Sequence, residues 1–575
     1  METVQIRGRR RREGGSLKWL VLICGLIAMA AVIWFGWQRF VPNNEEVTPE
    51  YGKSHPIIVK GSVLKESAII EDGSVKVPLP VVQQALELAD AVHYEEKTGS
   101  IVLTNAHKVL HLKTNSLTAR INSKPYELRF AAEVKDKLVY IPTAPLEEMY
   151  GIQVEYDSKS DIVTILLAEQ SVQQAEAPEE TAIRTEPTIR APIVHRVLQA
   201  ETVRIWGEQD GWYRVQSSNG VLGYMAKGDL ALTDVERIEP LKTEPPFIAW
   251  KLLGSKINMT WEAVYTKTPN TSKIGPLNGV NVVSPTWFEL INGKGDISSK
   301  ADRSYVNWAH KKGMQVWGLF SNGFEPDRTT QALATVESRF HMIQQLIAYA
   351  ELYKLQGINI DFENVHTADK ANLVQFVREL TPLLHEGNLV VSIDVTPKSN
   401  SEMWSVFLDR AALGKVVDYM MIMAYDEHWA SSPKAGSVAS LPWVEQSILR
   451  ILEEDEVPAD KLVLGMPLYT RLWTEKKDES GTVKVSSKAL GMEAVSKIIA
   501  EQKLKPVLDE QAGQNYVEYT EDGAKKRIWL EDSLSIKART ALVKKYNLAG
   551  IATWQRAFQS DDVWDIIHQS LNKRP

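Results

Sequence analysis

Gly357-Ile358-Asn359-Ile360-Asp361-Phe362-Glu363 is the stretch that decides how the C-terminal half of this chain is read. Apolar and polar residues alternate along it, the pattern of a β-strand whose two faces meet different surroundings. Ile358, Ile360 and Phe362 form one apolar face, suited to packing against helices. Asn359, Asp361 and Glu363 share the other. Burying an amide and two carboxylates in one file costs several kcal/mol unless the protein gains something from them. A strand that served only packing would carry Val or Leu there.

Further apolar strands flank this one, at residues 256–261, 280–285, 315–321, 389–396, 416–425, 461–468 and 548–554, with helical patterns such as 331–355 and 367–384 between them. Eight strands in that alternation predict an eight-stranded β/α barrel over residues 247–575. The gap between the seventh and eighth strands exceeds one crossover, so a small α+β insertion is expected at about 474–531. In such barrels chemistry sits at the C-terminal ends of the strands. Mutual repulsion and burial should raise one carboxyl pKa, as a general acid requires. Glu363, last and longest, is the candidate proton donor, and Asp361 its electrostatic partner. Both come from one strand and lie on one side of a bound sugar. An attacking group on the opposite face must come from elsewhere, which favours a substrate whose own 2-acetamido group attacks the anomeric carbon.

Gln356-Gly357-Ile358-Asn359-Ile360-Asp361-Phe362-Glu363 resembles the Asp-Gly-x-Asp-x-Asp-x-Glu signature of glycoside hydrolase family 18, the chitinase and endo-N-acetylglucosaminidase family. Gln356 and Asn359 depart from it, each replacing an Asp. The resemblance implies that Glu363 is the acid/base and that Asp361 orients the acetamido group. Met423-Ala424-Tyr425-Asp426 looks like the family's Met-x-Tyr-Asp, which implies that Tyr425 and Asp426 hold that group and stabilise an oxazolinium-like intermediate. Trp554, ending the eighth strand, resembles the tryptophan that floors the cleaved sugar's subsite, and an indole stacked on a pyranose makes physical sense by itself. Asn359, Tyr469, Arg471 and Trp473 are further substrate-binding candidates, the last three lining the groove after the seventh strand. The segments around Asn364-Val365, Glu427-His428-Trp429 and Trp529-Leu530-Glu531 look like the bacterial branch containing spore-cortex and other wall-active N-acetylglucosaminidases.

The N-terminal part is read as modules. Arg7 and Arg9 to Arg12 lie in a basic tail (1–18) before an apolar run (19–37). That run is long enough for a hydrocarbon core of roughly 30 Å at about 1.5 Å per residue. Basic residues stay cytoplasmic, so the bulk of the chain is expected outside the cell membrane, held by a single-pass helix. Ala28-Met29-Ala30 could be cut by a signal peptidase, which would secrete the protein, but Ala31 to Trp37 stays apolar, which favours a retained anchor. A linker is expected at 38–55. Residues 56–168 contain a degenerate repeat, in which Val92-His93-Tyr94 with Ile101-Val102 is echoed by Val154-Glu155-Tyr156 with Ile162-Val163. This layout resembles the N-terminal domain of copper amine oxidases, an α+β stalk without chemistry of its own. His107 and His111 fall in a strand-like pattern and are expected to face solvent. A second linker is expected at 169–181. Residues 182–234, with Gly211-Trp212-Tyr213-Arg214-Val215 and Gly223-Tyr224, resemble a small SH3-like β-barrel of the kind that binds wall peptides.

The 575 residues are too many for one core. A net charge of -7 argues against a nucleic-acid partner, and the single cysteine, Cys24, excludes an intramolecular disulfide. No cofactor and no metal is called for. The expected function is hydrolysis of a β-linked N-acetylglucosamine polysaccharide, peptidoglycan ahead of chitin. The alternative is a catalytically weak or inactive chitinase-like carbohydrate-binding protein used for wall attachment.

Overall fold

The computed structural model describes residues 16–241, 245–249 and 254–572, so the basic cluster at 7–12 lies outside the described residues. Two compact bodies emerge. One holds Met1–Asp90, Thr114–Leu117 and Leu128–Thr243; the other holds Ala91–Lys113, Thr118–Glu127 and Glu244–Pro575.

The first body begins with the helix Ser16–Phe40. Within it Lys18–Trp37 is long and apolar enough to cross a membrane. The chain that follows, expected as a linker at 38–55, is tied down along part of its length. Asn43 and Val47 donate backbone N–H groups to the carbonyls of Ile189 and Ile193 at 2.8 Å each. The cause is Arg184, a buried guanidinium whose Nη1 needs acceptors and takes the carbonyls of Asn43 (2.8 Å) and Ala191 (2.7 Å). The second expected linker also departs from its reading. Ser171–Glu176 is a strand, antiparallel to both Thr202–Gln209 and Ala231–Arg237 in a seven-stranded sheet. Polar composition hid it, but Val172 and Ala175 turn inward and are buried. The sheet's own core is Ile183, Val197, Val203, Val215 and Met225. Two four-stranded sheets, built from strands between Pro56 and Pro78 and between Glu133 and Leu166, complete this body.

The second body is organised by a closed barrel of eight parallel strands: β1 (Ile257–Glu262), β2 (Val282–Leu290), β3 (Gln315–Ser321), β4 (Gly357–Asp361), β5 (Val390–Val395), β6 (Tyr419–Met423), β7 (Leu462–Pro467) and β8 (Gly550–Trp554). Each strand pairs with its successor, and β1 closes the ring on β8 with Ile257 opposite Gly550. Period-two alternation sorts the side chains as the sequence predicts. Ile358, Ile360 and Phe362 join the layer between strands and helices. A separate inner core of Met259, Trp261, Trp317, Leu319, Met421 and Val463 fills the lumen. Between β7 and β8 lies a five-stranded antiparallel sheet running from Tyr469 to Trp529, with the helix Met492–Glu501.

One part of the second body comes from far upstream. Val92–Glu95, Ser100–Thr104, Val109–Lys113, Thr118–Ile121 and Lys124–Glu127 form a five-stranded antiparallel sheet that packs on two barrel helices, α1 (Val336–Tyr353) and α2 (Lys370–Glu386). Residues 56–168 are therefore divided between the two bodies. Arg339 of α1, fully buried, ties the contact by pairing with Glu95 of the sheet at 2.9 Å and Glu379 of α2 at 2.8 Å. His111 does not face solvent as expected. It is 7% exposed and meets the Phe340 ring edge-on at 5.1 Å, and burial pushes its imidazole pKa down to about 3. Arg120, opposite His111 on the neighbouring strand of the same sheet, lies 3.7 Å from the Phe340 ring centre.

Removing one partner of a buried ion pair leaves the rest uncompensated. Arg339→Ala strands Glu95 and Glu379 in an apolar layer and is expected to destabilise the second body by about 3–5 kcal/mol. A lowered urea midpoint checks this, and Lys124→Ala, which alters an exposed pair with Glu386, should leave the midpoint nearly unchanged.

Candidate active site

The inward file of β4 meets a file from each neighbour at the C-terminal end of the barrel. Asn359, fully buried, is the hub. Its Oδ1 accepts from the Trp261 indole of β1 at 2.9 Å and from the Ser284 hydroxyl of β2 at 3.1 Å. With the oxygen so engaged, the amide nitrogen must turn the other way, where it donates to Asp394 Oδ1 of β5 at 2.8 Å. Asp361 stands one pleat further up β4, with an Oδ1 that is buried and without a hydrogen-bond partner. Burial pushes its carboxyl up to about 7.

Glu363 lies two residues beyond the end of β4 and is half-buried. Its position is set by Asn322, just past β3. The Asn322 amide donates to the Glu363 carbonyl at 2.8 Å and accepts from the Glu363 N–H at 3.1 Å, imitating a strand pairing where the ladder has stopped. Asn322 is itself locked by Thr329 at 3.0 Å. Burial first, then the charges of Asp361 and Asp426, hold the Glu363 carboxyl well above the usual carboxylate range. Asp394 is raised too, by burial and then by Asp361, against the hydrogen bond from Asn359.

Two strands round the ring from β4, Tyr425 and Asp426 follow β6. Tyr425 is half-buried, and burial with the nearby Asp394 raises its phenol pKa. Asp426 sits in the left-handed region at φ 60°, which turns its carboxylate back toward β7. There Tyr469 Oη donates to Asp426 Oδ1 at 2.6 Å and Arg471 Nη2 donates at 2.8 Å. Tyr469 and Arg471, expected to line an open groove, are buried and act on the site through Asp426. Trp473 was expected beside them and is not there. It is fully buried, donates its indole N–H to the Gly436 carbonyl at 2.8 Å, and packs with Ala512 and Trp529 in the core of the inserted sheet. Strand alternation explains the error only in part: 469, 471 and 473 share a face, but the growing sheet covers that face as it leaves the barrel. Trp554 ends β8, half-buried, with its ring 6.1 Å from Trp261.

The structure thus brings together Asn359, Asp361, Glu363, Tyr425, Asp426 and Trp554, with Tyr469 and Arg471 behind Asp426. Sequence reading passed over Asp394 and Asn322. The first carried a usable signal, since Ser392 and Asp394 alternate with Val391, Ile393 and Val395 in the same way as the file on β4. Gln356 stays outside the group. Its Oε1 accepts from the Val316 N–H at 3.0 Å and lies 2.9 Å from His310 Nε2, at the opposite end of β4.

Residues 292–559 match the family model for glycosyl hydrolases family 18, residues 58–165 that for the copper amine oxidase N-terminal domain, and residues 179–231 that for the bacterial SH3 domain. Among relatives, an uncharacterized glycosylase of Bacillus subtilis (strain 168) is 26% identical over 302 residues, covering 50% of this chain and 84% of that one. The cortical fragment-lytic enzyme of Bacillus subtilis is 27% identical over 242 residues, 41% of this chain and 54% of its own length. Di-N-acetylchitobiase of Rattus norvegicus is 26% identical over 286 residues, 45% and 74% respectively. The crystal structure of the spore cortex-lytic enzyme of Bacillus megaterium QM B1551 shares the fold at a TM-score of 0.50 and 19% identity, covering 66% of this chain and 90% of that one.

A carboxyl whose folded pKa is raised above its unfolded value favours the fold while protonated, and that contribution is lost as pH rises toward the folded pKa. With Asp361 at about 7 against an ordinary 3.8, stability should fall between pH about 4 and 7. Asp361→Asn is expected to flatten this fall, so that its unfolding midpoint exceeds that of the wild type at pH 8 and matches it near pH 4. Parallel thermal melts across pH measure both.

Proposed function

We propose, from the premise that residues 292–559 form a glycosyl hydrolase family 18 domain, that the protein is a membrane-anchored glycosidase cleaving β-1,4-linked N-acetylglucosamine polymers outside the cell. The observation that carries this reading is the one-sided placement of the acids: Glu363 and Asp361 both rise from β4, and Asp426 with its Tyr469 and Arg471 supports stands past the end of β6, the next strand but one.

The chemistry follows from that placement. Glu363, kept protonated by its surroundings, gives its proton to the glycosidic oxygen as the bond to the anomeric carbon breaks. The carbonyl oxygen of the substrate's 2-acetamido group closes on the same carbon from the other face, forming an oxazolinium. Asp361 holds the acetamido N–H and meets the positive charge that develops there, while Tyr425 and Asp426 fix the acetamido oxygen's approach. Glu363, now a carboxylate, takes a proton from water as that water opens the ring, and two inversions leave the configuration retained. Trp554 offers the stacking floor for the sugar being cleaved.

Peptidoglycan leads chitin as the polymer. The relatives include a cortical fragment-lytic enzyme, and the chain carries a bacterial SH3 domain, a type of module suited to wall peptides. The apolar helix Lys18–Trp37, preceded by five arginines between residues 7 and 12, supports an orientation with the N-terminus in the cytoplasm. A second reading, a binding protein of little turnover, draws on Asn359, an amide in a file of acids.

Glu363→Gln is expected to lower the release of reducing ends by about 10²- to 10⁴-fold with binding and unfolding midpoint kept. Mass spectrometry of products from purified peptidoglycan and from chitin oligomers reads this. Wild-type binding without products from either polymer would select the second reading. Because the proton donor's pKa is raised, turnover should persist through mildly acidic to near-neutral pH and decline on the alkaline side as Glu363 loses its proton, which a kcat/KM profile tests.

A further inference from the structure

Asp394 has no part in the roles given above, yet it is nearly as deeply buried as Asn359. It is 2% exposed. β4 and β5 run parallel with Asn359 opposite Ser392 and Ile360 opposite Ile393, so continuing the two strands sets Asp394 beside Asp361. Asn359 cannot offer Asp394 anything but its amide hydrogens, because Trp261 and Ser284 occupy its oxygen. One oxygen of Asp394 is thereby satisfied, while Oδ1 of Asp361 has no partner.

Two neighbouring carboxyls at this depth do not both ionise, since like charges in low dielectric repel too strongly. The titratable groups acting on Asp394 are Asp361 and Glu363 from the β4 side, and it acts in turn on Tyr425 after β6. The neutral Asn359, Trp261 and Ser284 complete the cluster.

We propose that Asp394 is a positioning residue of the hydrolytic site, sharing one proton with Asp361 and holding the pair at a single negative charge. This rests on the glycosidase reading of that site. When the acetamido nitrogen of the substrate becomes partly positive, the shared proton sits on Asp394 and the charge on Asp361. When the sugar leaves, the proton returns. No net charge enters or leaves the pair, so no other donor or acceptor is needed. Asn359 serves this arrangement as a fixed donor that keeps Asp394 facing its neighbour.

The test uses the full chain in detergent, with Asp394→Asn, Asp361→Asn and the double variant. Thermal midpoints between pH 4 and 8 provide a readout independent of turnover. Asp394→Asn should match the wild type near pH 4 and lose much of its decline toward pH 8, and the double variant should gain less than the two single gains added. On an N-acetylglucosamine oligomer, Asp394→Asn should lower kcat about 10- to 100-fold with KM within about twofold. The acid limb of its kcat/KM profile should move to higher pH by about one unit, because the Asp361 anion loses the hydrogen bond from the shared proton. A wild-type pH dependence of both midpoint and turnover in Asp394→Asn overturns the proposal and leaves the glycosidase reading standing. The coupled midpoints together with no turnover by the wild type would do the reverse, upholding the shared proton and removing the glycosidase.

Discussion

Everything in the catalytic end of the barrel depends on how three carboxyl groups are tolerated in one lumen. Asp361, Asp394 and Glu363 are all pushed toward their neutral forms by burial, and the direct support they receive is uncharged: an asparagine amide for Asp394 and a second asparagine for the backbone of Glu363. Elsewhere in the same body buried acids are handled differently. Glu379 and Glu531 are matched by Arg339 and Arg539, and Glu262 by Arg556. A paired acid is structurally settled by a fixed guanidinium. An acid supported by amides keeps its proton within reach of a reaction, and the barrel reserves that second treatment for the strand ends that face the cleft.

Much of this was legible beforehand because it rests on periodicity. The eight strands were found as apolar runs alternating with helical patterns, and the lumen file of β4 from period-two alternation, since a side chain on a strand has only two directions to point. What sequence could not supply was the cover over a face. Trp473 shares its strand face with Tyr469 and Arg471, and only the later strands of the insertion decide that it is sealed. His111 alternates as an edge histidine would, and only α1, more than 200 residues on, makes it a core residue. Ser171–Glu176 reads as a polar tether because its two inward residues are small or lone, and the strands that pair with it come later in the chain. Asp394 was recoverable by local reasoning; Asn322 was not, because its value lies in a backbone it meets 41 residues away.

The segment between Ala91 and Glu127 shows a further limit of reading a chain in order. Its repeat with residues 154–166 was visible in the sequence, but the two copies have different fates. The later copy pairs in parallel with Pro56–Val59, whereas the earlier one pairs with its own successor and lays its sheet on α1 and α2. Similar local sequence gives the same hairpin. The partner of that hairpin is chosen by side chains such as Glu95, which has a buried guanidinium to meet.

The Arg339 bridge bears on where this protein can be cut. A fragment starting at Glu244 would contain every strand and helix of the barrel, yet it would leave behind the sheet that covers Phe340 and the carboxylate opposite Arg339. The independently excisable unit is therefore discontinuous along the chain. Trimming to the sequence-defined boundary would expose a greasy, charged scar on α1 and α2, inviting self-association in an otherwise intact enzyme.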